Sequence, residues 1–202
     1  MPDFLYLRAM KNIILAAALS LLLFGCQSNP YAGDPVAEAL EAHLALNAPA
    51  GEPFELILTD LQCVDSTTFA TEFDRRIDVF GRRIAANSEL YERYTAQGRL
   101  NNASLKKQAV IRDRDNVRGL QVMRDSYQAE GRLDDVAWYA YRFSGRARSG
   151  KRASEFKDCW FNITSEHDVI VVSRDRKDLD RSGGRSIPGY IDLIGGNDAP
   201  EQ

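Results

Sequence analysis

Histidine and cysteine are scarce in this sequence, two of one and three of the other in 202 residues. His43 and His167 stand far apart, and neither they nor the cysteines fall at the short spacings of a metal centre. No metal or cofactor site is therefore expected. A large excess of either charge is also missing. Twenty-six Lys and Arg against 29 Asp and Glu leave a formal net charge of -3, with a pI near 5.5. That balance speaks against a nucleic-acid binder, whose phosphate contacts need a basic surface. No apolar run reaches the roughly 20 residues that carry a helix across a bilayer. Catalytic motifs are missing as well. No serine occupies a Gly-x-Ser-x-Gly elbow, and the Ser-x-x-Lys spacing of Ser104 and Lys107 opens a charged helix, where the serine reads as a cap.

What is present begins at the N-terminus. Ile13 to Phe24 is apolar apart from Ser20, and Lys11 precedes it, the pattern of a signal peptide with a charged lead and a short hydrophobic stretch. That stretch ends in Leu23-Phe24-Gly25-Cys26, which resembles the lipobox of bacterial lipoprotein precursors, with Phe24 standing where Ala or Ser is usual. The resemblance implies cleavage before Cys26, lipidation of Cys26, and a membrane anchor formed by several acyl chains. Gln27 in place of Asp after the lipidated residue is similar to outer-membrane sorting, with the inner membrane as the alternative. Residues 1–25 are thus expected to be the signal and 26–33 a lipidated, flexible tether. An exported chain enters an oxidising compartment. Cys63 and Cys159 then form an even pair that a disulfide would join, stabilising by roughly 4–5 kcal/mol. Two free buried thiols are the alternative.

Downstream, Asp34-Pro35 marks a helix start, and Val36, Leu40 and Leu44 recur at helical spacing over 35–46. Phe54 to Val64 alternates like a strand. From Asp65-Ser66 a stripe of Phe69, Phe73, Ile77, Phe80, Ile84, Tyr91 and Tyr94 predicts a long helix. Gly98 and Asn101-Asn102 turn it into a second, which runs to about Glu130. Two such helices should fold back on each other, with Gly81 facing Gly119 and Asn87 facing Asp113. Val136–Phe143, Phe156–Thr164 and Val169–Ser173 then read as an antiparallel meander, with Ala137, Tyr139, Tyr141 and Phe143 on one face of its first strand. The expected fold is α+β: a long helical hairpin packed on an antiparallel sheet of three to four strands, one domain over 34–176, and a flexible tail over 177–202. Over Val136 to Arg174 this order resembles the small accessory lipoprotein of the outer-membrane β-barrel assembly machinery. The helices here are longer, and that family's Gly-containing helix-turn signature is absent.

The loop after the first meander strand gathers Arg146, Arg148, Lys151 and Arg152, and Arg174 leaves the neighbouring strand. Together they form a candidate patch for headgroups, phosphates or an acidic partner. His167 between Glu166 and Asp168 reads as an exposed turn, and Asp113, Asp115 and Asp134-Asp135 as solvated ion pairs. The expected function is a non-enzymatic binding or scaffolding component of the bacterial envelope, facing the periplasm, with an envelope protein or component as partner. The alternatives are an envelope hydrolase with a dispersed site, or a small-ligand binder with a cavity at Tyr139, Tyr141 and Phe143.

Overall fold

The computed structural model describes residues 29–195; the signal, the lipobox and the last seven residues lie outside that range. Asp34 caps helix α1 (Pro35–Ala45) as its sequence requires, accepting from the amides of Val36 at 2.8 Å and Ala37 at 3.2 Å. Proline sits in the first turn, where its missing N–H costs nothing. The preceding residues are not a tether. Asn29 donates its side-chain amide to the Leu56 carbonyl at 3.2 Å, and the Leu61 amide donates to the Tyr31 hydroxyl at 3.1 Å. Asn29 and Tyr31 are thus tied to the first strand.

Four strands, β1 (Phe54–Thr68), β2 (Val136–Ser149), β3 (Arg152–Ile163) and β4 (Val169–Ser173), form one antiparallel sheet in sequence order. Alternation and β-branched or aromatic content made all four legible, and β4 has the expected bounds, but β1 and β2 run further at their C-terminal ends and β3 starts four residues earlier. β1 continues through Asp65 and Ser66 because β2 offers partners as far as Val136, which pairs with Thr68. The helix start moves accordingly to Phe69, and Thr68 caps it through its hydroxyl. The basic loop is equally reduced. Ser149 pairs with Arg152, so only Gly150 and Lys151 turn the chain, with Gly150 at φ +54°.

Helices α2 (Phe69–Ala96) and α3 (Leu100–Ala129) lie side by side, reversed through Gly98 at φ +68°. Asp74 pairs with Arg124 at 3.2 Å, Arg83 pairs with Asp113 at 3.1 Å, and the Phe69 and Tyr127 rings meet at 4.8 Å. This register sets Asp113 one turn nearer the start of α2 than the expected pairing with Asn87. The glycines explain the offset. Gly81 has nothing near its missing side chain, whereas a Cβ on Gly119 would stand 2.3 Å from Leu193. Gly119 thus makes room for the C-terminal segment and not for α2.

That segment is the largest departure from expectation. Residues 177–195 fold as α4 (Lys177–Ser182), a 3-10 turn (Gly183–Ser186) and α5 (Tyr190–Leu193). Leu179, Ile187, Tyr190 and Ile194 join a core with Phe69, Phe73, Phe80, Leu120, Tyr127 and Trp138 on one face of the sheet. On the other face α1 covers Leu56, Leu58, Phe143, Ala147, Cys159 and Phe161. The domain therefore runs to 195, because a segment poor in overall hydropathy still supplies four well-spaced apolar side chains. All the buried residues of α2 lie in its N-terminal half.

A buried charge cluster holds the C-terminal segment down. Glu72 is fully buried and accepts from Arg76 Nε at 2.5 Å, Arg75 Nη1 at 2.9 Å and Trp138 Nε1 at 3.1 Å. Arg76 in turn donates to the carbonyls of Asp180 and, at 2.9 Å, Arg181. A Cβ on Gly183 would stand 2.7 Å from Trp138 Nε1 and 2.9 Å from Glu72 Oε2. Gly183→Ala is therefore expected to loosen the C-terminal segment, seen as faster limited proteolysis after residue 177. Glu72→Ala strands Arg76 in the core and should cost about 3–5 kcal/mol in urea unfolding.

Candidate functional site

The two cysteines are the clearest correction. Both thiols are free, Cys63 exposed and Cys159 buried. Cys63 lies on β1 opposite Tyr141 and Cys159 on β3 opposite Phe143, so the whole of β2 stands between them. Two strand spacings alone separate them by about 10 Å, beyond the roughly 7 Å that a disulfide spans. Burial first, and the neighbouring Cys63 second, push the Tyr141 phenol above its ordinary pKa.

The remaining polar candidates scatter. His167 adopts φ +66° in an exposed turn closed by the Thr164 amide on the Asp168 carbonyl at 3.0 Å. His43 lies on α1, where burial lowers its imidazole pKa below the ordinary 6.5. Ser104 is exposed within α3, whose N-cap position belongs to Arg99. Asp113, expected to be solvated, is fully buried against Arg83. Phe143 packs on Phe156 and Phe161 at 5.5 and 5.6 Å, and Tyr141 stacks on Phe161 at 5.3 Å. Rings fill that face where a ligand cavity was one alternative. Among the described residues no group of three or more His, Cys, Asp or Glu is placed to hold a metal.

The expected basic patch divides. Arg146, Arg148, Lys151 and Arg152 are exposed at the β2–β3 turn. Acids are interleaved with them, Glu155 beside Arg146 and Glu55 beside Arg148. Arg174 does not join. It follows Ser173, which pairs with Trp160, and Trp160 lies roughly 25 Å up β3 from Arg152.

Two clefts border the C-terminal segment instead. The larger, about 660 Å³, runs between the end of α3, the start of β2 and the β3–β4 turn. Arg132, Asp135, Glu166, Asp168 and Arg185 line it, a balanced mixture of charges that includes Tyr139 but not His167. The second, about 490 Å³, is the groove between α2 and the C-terminal segment. Six arginines (75, 76, 82, 83, 181 and 185) and a single carboxylate, Asp180, surround its apolar floor of Phe80 and Ile194. Arg185 borders both clefts. None of these six arginines is among the candidate residues read from the sequence, and Arg181 and Arg185 fall in the stretch expected to be a flexible tail. The signal lay in Arg75-Arg76 and Arg82-Arg83, two pairs seven residues apart and hence on one side of α2.

Comparison of the chain with protein-family models, with curated proteins and with solved structures finds no match.

With both thiols free, Cys63 should react with a maleimide in the native protein, while Cys159 reacts only after denaturation, in equal yield with and without reductant. His43 makes stability fall with acid. Its folded pKa lies below the unfolded one, so the unfolded chain binds more protons between that lowered value and 6.5. Stability is complete above pH 6.5 and declines as pH drops through the window. His43→Gln should flatten that slope in urea titrations.

Proposed function

We propose that the chain is a lipid-anchored, non-enzymatic binding or scaffolding component of a bacterial envelope, attached through Cys26 to the periplasmic side of the outer membrane. The carrying observation is the lipobox-like Leu23-Phe24-Gly25-Cys26 set three residues ahead of Asn29, where the described fold begins. Three residues reach at most about 10 Å. A lipid on Cys26 would therefore hold the Asn29–Leu56 edge of β1 close to the headgroups. The cationic β2–β3 turn supports the same orientation, since Phe54 at the start of β1 pairs with Ser149 beside that turn. No helix among the described residues is long and apolar enough to cross a membrane, so the proposed attachment is the acyl anchor. In this proposal α2 and α3, packed against the sheet near its start, project as an arm for an envelope partner. The likeness to the assembly-machinery lipoprotein enters only as architectural analogy.

One observation favours a hydrolase as the second reading: Asp135, Glu166 and Asp168 line the larger cleft together with Arg132. Envelope-material turnover by purified protein, lost in Asp168→Asn, would support it.

The anchor is tested by intact-mass measurement and fractionation. The membrane-extracted protein should begin at Cys26 and carry acyl chains, and Cys26→Ser should abolish the acyl mass and move the chain out of the outer-membrane fraction. An unlipidated mass that retains residues 1–25 overturns the proposal.

A further inference from the structure

The arginine-lined groove between α2 and the C-terminal segment is unlike the rest of the surface. The larger cleft mixes arginines with three carboxylates, whereas this groove is lined by six arginines and one carboxylate. Their existing partners differ in strength. Arg76 is committed, nearly buried between Glu72 and two backbone carbonyls. Arg75 is shared between Glu72 and Asp180. Arg82 and Arg181 hold only Asp78 and Asp178, with both arginine side chains more than two-thirds exposed, 68% and 75%. Exposed pairs of that kind contribute little and exchange readily for another anion. Arg185 is exposed and has no carboxylate within ion-pair distance among the described residues.

We propose that this groove binds a phosphate group carried on an apolar body. Three cations, Arg82, Arg181 and Arg185, are free or cheaply freed. A phosphate monoester brings about -1.5 to -2 charges and three strong acceptor oxygens, which match them better than a single carboxylate does. The groove, at about 490 Å³, holds more than an inorganic ion. Its floor of Val79, Phe80 and Ile194, and Ile191 at its lip with 42% exposure, give the ester's apolar part a surface. Gly183 and Gly184 shape the wall. Side chains there would strike Trp138, Glu72 and Tyr190, and without them the turn lies close enough to α2 for Arg185 to face the groove. The same chemistry has two sources, a soluble phosphate monoester and a lipid headgroup. The proposal stands apart from the anchor and does not require lipidation.

The test uses the full chain carrying Cys26→Ser, so that no acyl chain contributes. Phenyl phosphate is titrated calorimetrically, and vesicles of phosphatidylcholine with and without phosphatidic acid are tested by co-sedimentation. Saturable phenyl phosphate binding is expected, weakened at least 10-fold by Arg185→Ala with Arg82→Ala and unchanged by Arg146→Ala with Arg148→Ala. Phosphatidic-acid-dependent sedimentation that phenyl phosphate competes away identifies the headgroup as source. Phenyl phosphate binding without that dependence identifies a soluble ester. Absence of binding in both arms, or binding indifferent to the loss of Arg82 and Arg185, overturns the proposal. All four substituted arginines are exposed, and unchanged urea midpoints confirm that each variant is folded.

Discussion

The Glu72 carboxylate is the point at which the domain is tied together. An ionised carboxylate with no solvent contact is costly unless every oxygen is satisfied, and here three donors from two elements converge on it. Arg75 and Arg76 come from its own helix, and the indole N–H of Trp138 comes from the start of β2. Arg76 then passes the constraint onward to the carbonyls that end α4. Helix, sheet and C-terminal segment thus share one charge network, and the apolar residues around it are positioned by that network as much as by their own burial. Replacing the cluster with well-packed apolar residues would remove the desolvation cost. It would also remove the directional bonds that place Gly183 against the indole.

The sequence disclosed this arrangement unevenly, for physical reasons. Periodicity is a local signal, so α1, the two long helices and all four strands were legible from the spacing of their apolar residues. Strand ends were not. Whether Asp65 and Ser66 are extended depends on β2 lying alongside, which no local pattern encodes. The tail misled for a related reason. Glycine pairs, Pro188 and many charges have the composition of a disordered segment, yet Leu179, Ile187, Tyr190 and Ile194 suffice to dock it once a complementary face exists. The disulfide failed on topology alone. Two cysteines on strands of one sheet are compatible with a bridge only if the strands are neighbours, and the order of strands is a long-range property.

Site legibility follows the same division. Cationic residues adjacent in the chain, at the β2–β3 turn, were conspicuous in the sequence. Those brought together by folding, arginines from two helices and the 3-10 turn around one groove, were hidden among ordinary surface charges. The structure reverses their weight. At the turn, the pairing register places Glu55 and Glu155 beside the arginines and so dilutes the field. In the groove, Arg82 is balanced by the exposed Asp78 and Arg181 by the half-buried Asp178, and Arg185 has no carboxylate partner among the described residues.

The two ends of the domain consequently suit different tasks. Asn29 and Tyr31 are fastened to the first half of β1, at Leu56 and Leu61, whereas the charge network and the arginine groove lie along the first half of α2, after β1 has ended at Thr68. β1 spans 15 residues, about 50 Å of extended chain before twist and bulges shorten it. An anchor beside Leu56 would leave the groove well removed from the point of attachment, on the far side of the strand that both share. A ligand in that groove would rest against Asp180, Arg181 and Arg185, the part of the chain held down by Glu72 and Arg76. Occupancy would therefore favour the docked C-terminal segment over any released one by its differential affinity for the two. The arginines that line the groove and the network beside it share Arg76 and the Asp180–Arg181 backbone, so ligand binding there would be coupled to C-terminal docking.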